Sequence, residues 1–98
     1  MWLIESGASR HMTGDRDNLS SMKEKETSHK VELGDNNSYA VKGMGKASIK
    51  MELGNNVHLN NVLYVHGLKK NLVSISCLED KGDRIAFVDG KVLVWSKD

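Results

Sequence analysis

The sequence predicts a small, mostly antiparallel β domain with one late helix. Three observations carry that prediction. From Val31 onward, apolar and polar residues alternate with a period of two. Turn-forming clusters at Gly34-Asp35-Asn36-Asn37, Gly54-Asn55-Asn56 and Asp89-Gly90 punctuate the alternation. Leu68, Leu72, Ile75 and Leu78 then fall at helical spacing near the end. At 98 residues there is room for one domain, spanning residues 1–98, and not for two.

Taken in order, Trp2-Leu3-Ile4 reads as a strand packed in a core, which delivers the carboxylate of Glu5 into a Ser6-Gly7 turn. A general acid/base is often presented that way, although a strand ending in a plain surface turn has the same pattern. Asp15 to Met22 suggests one short helical turn, with Leu19 and Met22 three apart. The charged run from Lys23 to Lys30 reads as a solvated loop. Val31 and Leu33 then pair with Tyr39 and Val41 as a β-hairpin with its tip at residues 34–37. Gly43-Met44-Gly45 breaks or bulges the strand before Ala47, Ile49, Met51 and Leu53 resume it. Val57, Leu59, Asn61, Leu63 and Val65 form one face of the next strand, with Val62 and Tyr64 on the other. A helix follows, capped by Asn71 at its start and by Gly82 at its end. The last element is a hairpin, Ile85–Val88 and Val92–Trp95, on the Asp89-Gly90 turn.

Composition narrows the chemistry. A net charge of +1 gives no general attraction to nucleic acid or to acidic membranes. No apolar run approaches the ~20 residues of a membrane span, and no signal peptide is expected. The single cysteine, Cys77, excludes an intrachain disulfide and a multi-cysteine zinc site, and fits a reducing compartment. Gly43-Met44-Gly45-Lys46 imitates a phosphate loop, but period-two alternation follows where such a loop needs a helix. His11, His29, His58 and His66 lack ligand spacing, so neither metal nor cofactor is expected. Ser6 or Ser9 beside His11 leaves a serine nucleophile conceivable, with nothing to supply an oxyanion hole. Lys69-Lys70 is too short for a nucleic-acid patch.

Several separated blocks share one resemblance. The stretch Trp2-Leu3-Ile4-Glu5-Ser6-Gly7-Ala8-Ser9-Arg10-His11-Met12-Thr13-Gly14 resembles the start of the protease region in Pol polyproteins of copia-type LTR retrotransposons. Leu63-Tyr64-Val65-His66-Gly67-Leu68-Lys69-Lys70-Asn71-Leu72-Val73-Ser74-Ile75-Ser76 is similar to that family's strand-to-helix segment. Leu78-Glu79-Asp80-Lys81-Gly82 and Phe87–Leu93 continue the likeness. The resemblance implies a small closed antiparallel barrel of the retropepsin type with one short C-terminal helix. It implies an aspartic endopeptidase that cleaves its own polyprotein, in a virus-like particle in the cytoplasm. Two copies would each supply one acid loop, and the two carboxylates would share a proton to activate water. Glu5 would stand at the catalytic position, Ser6 would brace the loop across the dimer, and Gly7 would orient the carboxylate. Ala8 and the tip Gly34, Asp35, Asn36 and Asn37 would hold an extended peptide substrate beneath a flap. The implied partners are a second copy and that peptide, with no direct nucleic acid and no membrane.

The sequence departs from the pattern at three places. Glu5 stands where the family has Asp, which displaces the carboxylate by more than ~1 Å. Only four residues precede it, whereas retropepsins carry a strand and hairpin there, so the domain is expected to lack those N-terminal strands. His66 stands where Pro is common. Weak or absent proteolysis is therefore expected, and an inactive interaction module or a decayed transposon remnant is the alternative.

Overall fold

The computed structural model describes residues 2–24, 29–33, 37–50 and 56–96. In chain order these form β1 (Trp2–Glu5), β2 (Met12–Thr13), β3 (Ser20–Glu24), β4 (Lys30–Glu32), β5 (Ser38–Ile49), β6 (Val57–Val65), β7 (Asn71–Ser74), α1 (Ile75–Lys81), β8 (Asp83–Val88) and β9 (Lys91–Ser96). A single 3₁₀ turn, Arg16–Asn18, precedes β3. The expected mainly β chain with one short helix is thus observed. The sheet is mixed, however, and not purely antiparallel. β1 pairs in parallel with β7, and β2 in parallel with β6. The strand order is β1-β7-β2-β6-β5-β3, with β4 also on β5, and β8–β9 forms a separate ribbon. Among the described residues the path is open, with β1 and β3 at its ends.

Both expected hairpins form where alternation meets turn residues. β4 pairs with β5 in the register Val31 to Tyr39, and the Leu33 N–H donates to the Asn37 carbonyl at 3.2 Å. Its tip residues 34–36 lie outside the described residues, as do 51–55 of the next turn. In the last hairpin Asp89 and Gly90 adopt φ values of 51° and 76°, the positive pair that a tight two-residue turn needs.

Four local expectations are corrected. β1 is half-buried and not sunk in a core, because among the described residues β7 alone pairs with it. The short helical turn is present, but Leu19 lies beyond it and Met22 is in β3. Of the charged run, Lys23 and Glu24 belong to β3 and Lys30 to β4, while residues 25–28 lie outside the described residues. β3 lies at the end of the ladder, so its outward charges stay solvated without a loop. The irregularity expected at Gly43–Gly45 is present, as register shifts on either side, although β5 runs through it. Asn71 opens a strand, and the helix begins four residues later on a Ser74 cap.

The last correction concerns β6. Leu59 and Val62 face Ala47 and Gly45, so three steps on β6 oppose two on β5. Asn61 absorbs the extra residue with φ 56°, a left-handed value that Asn tolerates. The side-chain parity flips there. Val57, Leu59 and Val62 join one core cluster with Val73, Leu78 and Val94. Leu63 and Val65 join the other, with Met12, Val41, Leu68 and Leu72. Neighbours Leu72 and Val73 divide between the clusters, so they occupy opposite faces of the sheet. Burying Leu59 or Leu78 completely contributes roughly 2 kcal/mol each.

Candidate functional site

The parallel register between β1 and β7 sets Glu5 level with Ser74, where β7 passes into α1. The loop from Ser6 to His11 therefore lies against the helix start. Glu5, Ser6 and Gly7 are exposed, and Ala8 is half-buried. A Cβ at Gly7 would meet nothing within 4 Å, so packing within one copy does not require glycine there.

A buried polar clamp holds this loop from behind. The Ser74 hydroxyl donates to the Ala8 carbonyl at 2.7 Å and accepts from the Cys77 N–H at 3.2 Å. Its one proton being committed to Ala8, the 3.0 Å contact with Ser76 has Ser76 as donor. The Cys77 thiol donates to the Ser9 carbonyl at 3.3 Å. The Ser74 N–H donates to His11 Nδ1 at 3.0 Å, and the His11 carbonyl accepts from Leu63 at 2.9 Å. His11 must therefore be neutral, with its proton on Nε2. Burial pushes its pKa down to about 4, and the nearby charges of Lys81 and Arg10 push the same way. This disposes of His11 as a base for Ser6 or Ser9, since the free ring nitrogen already accepts a backbone proton.

A second cluster pins the far end of the loop. Thr13, fully buried, donates to Asn71 Oδ1 at 2.6 Å and accepts from the Asp15 N–H at 3.1 Å and Asn18 Nδ2 at 3.2 Å. Among the described residues no buried side-chain nitrogen or oxygen lacks a partner. Satisfied networks of this kind fix a loop's geometry, and removing one member exposes the others. Ser74→Ala removes the helix cap and orphans the Ala8 carbonyl, so a loss of about 2 kcal/mol is expected in denaturant unfolding. Ser74→Thr, which keeps the hydroxyl, should recover part of it.

A groove of about 600 Å³ opens beside the loop. Glu5, Gly7 and Ala8 line one side, and Leu33 and Tyr39, from the stem of the 30–41 hairpin, line another. Gly67, Leu68, Lys69, Lys70 and Leu72 complete it. Of the residues expected at the site, Glu5, Gly7 and Ala8 meet here. Ser6 is exposed next to them. Asn37 is exposed and closes the hairpin through its carbonyl, while Gly34, Asp35 and Asn36 lie outside the described residues. The liners that sequence reasoning passed over are Leu33, Tyr39, Leu68, Lys69, Lys70 and Leu72. Ser74 and Thr13 were equally silent, because nothing local marks a serine or threonine as a buried clamp, and His11 was read as a possible base and not as part of one.

Other chemistries find no support in this geometry. Among the described residues no three His, Cys, Asp or Glu side chains are grouped to hold a metal ion. Gly43 lies within a strand, and a Cβ there would come within 2.8 Å of the Lys23 carbonyl oxygen, leaving no room for a phosphate.

Comparison with known proteins agrees with this architecture. Residues 2–83 match the family described as Pol polyprotein, beta-barrel domain. Two Arabidopsis thaliana proteins are similar over 74 residues, 76% of this chain: the retrovirus-related Pol polyproteins from transposons RE2, 35% identical, and RE1, 32% identical. The match spans about 5% of the length of either relative. No solved structure matches the chain. With the family match running from the start of β1 to the end of α1 and beyond, the chain belongs to the family of Pol polyprotein β-barrel domains.

Proposed function

We propose that this domain is the protease-like segment of a retrotransposon Pol polyprotein, with an aspartic-endopeptidase cleft weakened at its catalytic acid. The observation that carries the reading is the groove, in which the Glu5-Ser6-Gly7-Ala8 loop faces the stem of a hairpin. That arrangement provides an acid at the end of a strand, a braced loop behind it and a hairpin to cover an extended peptide. Glu5 stands exposed in a single copy. The mechanism implied by the resemblance needs a second carboxylate close by, so that one is protonated and the other activates water. A second copy supplies it. The edge of β1 is where such a copy would meet this one and where the barrel would be completed.

The glutamate weakens this chemistry by geometry. One added methylene in each copy shifts both carboxylates by about 1 Å, and a misplacement of that size costs on the order of a hundredfold in rate. The test compares wild type with Glu5→Asp within a longer Pol polypeptide, on a polyprotein-derived peptide at about pH 6. Pepstatin-sensitive cleavage by Glu5→Asp should exceed wild type by about a hundredfold. Equal cleavage by both would remove Glu5 as the cause of weakness, and none by either would remove the protease reading.

A further inference from the structure

We infer that the Glu5 groove selects extended peptides carrying an acidic side chain next to an apolar one, with Lys69 and Lys70 reading the acid. The inference rests on the groove being the peptide cleft proposed above, and it names the substrate class of that cleft. The wall is apolar and fixed. Ala8, Leu33, Leu68 and Leu72 all pack in the second core cluster, so the surface they offer belongs to the folded core. An apolar peptide side chain placed there loses water without disturbing the domain.

The two lysines stand at the groove on a short, pinned connection. Just before them, the Leu68 N–H donates to the Val65 carbonyl at 3.2 Å, and Gly14 packs directly on the Leu68 carbonyl. Just after them, Asn71 enters β7 and its side chain takes the Thr13 proton. The backbone that carries both lysines is therefore held on both sides, and both residues are exposed. Among the described residues, the groove's lining carries two cations, Lys69 and Lys70, and one carboxylate, Glu5. An acidic peptide side chain placed at the lysine end meets net positive charge, whereas a basic one meets like charge there. Exposed pairs contribute modestly and are screened by salt, so the effect is one of selection between peptides more than of raw affinity. A nucleic-acid strand fits less well, since Glu5 repels phosphate and the wall offers Tyr39 as its one aromatic stacking surface.

The test uses the full 98-residue chain and three labelled decapeptides with a central leucine flanked by Glu, Gln or Lys. Affinity is read by fluorescence anisotropy, and the site by amide shifts at Ala8, Leu33 and Leu72. The Glu peptide should bind about fivefold more tightly than the Gln peptide at low salt, and this advantage should shrink as salt rises. Lys69→Glu/Lys70→Glu should reverse the order so that the Lys peptide binds best. Lys69→Gln/Lys70→Gln should abolish the preference and leave the shifts at Ala8 and Leu72 in place. Shifts at those residues with equal affinity for all three peptides would overturn the charge reading and leave the peptide cleft standing. Failure of every peptide to shift them would overturn both. A short single-stranded oligonucleotide displacing the Glu peptide at equal concentration would also overturn the proposal.

Discussion

Gly14→Ala is expected to cost about 4 kcal/mol or more, a large share of the roughly 5–15 kcal/mol of stability that a domain of this size has at 25 °C. An added Cβ would fall on the Leu68 carbonyl oxygen and within 2.7 Å of its carbonyl carbon. Both atoms are backbone, so no rotamer change can relieve the clash. Either the turn after β2 or the connection from β6 to β7 must move. That connection carries Leu68, Lys69 and Lys70 into the groove, and β2 is wedged between β6 and β7. The strain would therefore reach fold and site together. Gly7→Ala is the matching control, because open space surrounds that position and a change within about 0.5 kcal/mol is expected. Circular dichroism with urea titration of both variants decides the matter. A Gly14→Ala chain with the urea midpoint of wild type would contradict the close approach.

Acid should destabilise this domain through His11. Its pKa is lowered from 6.5 to about 4 in the folded chain, by burial first and by Lys81 and Arg10 after it. The unfolded state therefore binds the proton more readily. Stability is fully present above about pH 6.5, falls as the pH drops, and levels off near pH 4. The loss over that window is on the order of 3 kcal/mol, about half of it already gone by pH 5.5. Protonation also turns Nδ1 from acceptor into donor, so the Ser74 N–H loses its partner and the clamp behind the acid loop opens. His11→Asn offers an amide oxygen in place of Nδ1 and does not titrate. Its stability should be lower at pH 7 but nearly flat between pH 7 and pH 4. Unfolding midpoints measured along that range check this, and an equally steep fall in His11→Asn would assign the acid sensitivity elsewhere. The same titration argues for a cleavage assay near pH 6, because stronger acid would loosen the loop that carries Glu5.

What could be read from the chain was local. The Asp89-Gly90 hairpin and the 30–41 hairpin follow from alternation and turn residues a few positions apart. The end of β1 at Glu5 follows from three apolar residues meeting an acid and a glycine turn. What was lost depends on distant partners. Leu68, Leu72, Ile75 and Leu78 imitate a helix, yet Leu72 belongs to a strand because β1 and β2 flank β7. Parallel partners far apart in sequence leave no periodic trace. The register change at Asn61 is equally hidden, since alternation continues on both sides of it. The acid loop itself was legible, but the clamp of Ser74, His11 and Thr13 was not. A buried serine is recognised by what surrounds it, and 63 residues separate it from His11.

Glu5 acting as half of a pair is the claim on which the proposed chemistry depends, and cysteine cross-linking tests it most directly. Cys77 is changed to serine, then Glu5→Cys and Ser20→Cys are compared in the 98-residue chain, where each is the single thiol, under mild oxidation. Ser20 is exposed on β3, at the opposite end of the strand order from β1. A disulfide needs Cα atoms roughly 4.4–6.8 Å apart, a separation that two facing acid loops would have to provide. Rapid covalent dimer from Glu5→Cys and little from Ser20→Cys is the predicted result. Equally slow dimer formation from both variants would contradict a shared site and leave the groove with one unpaired acid.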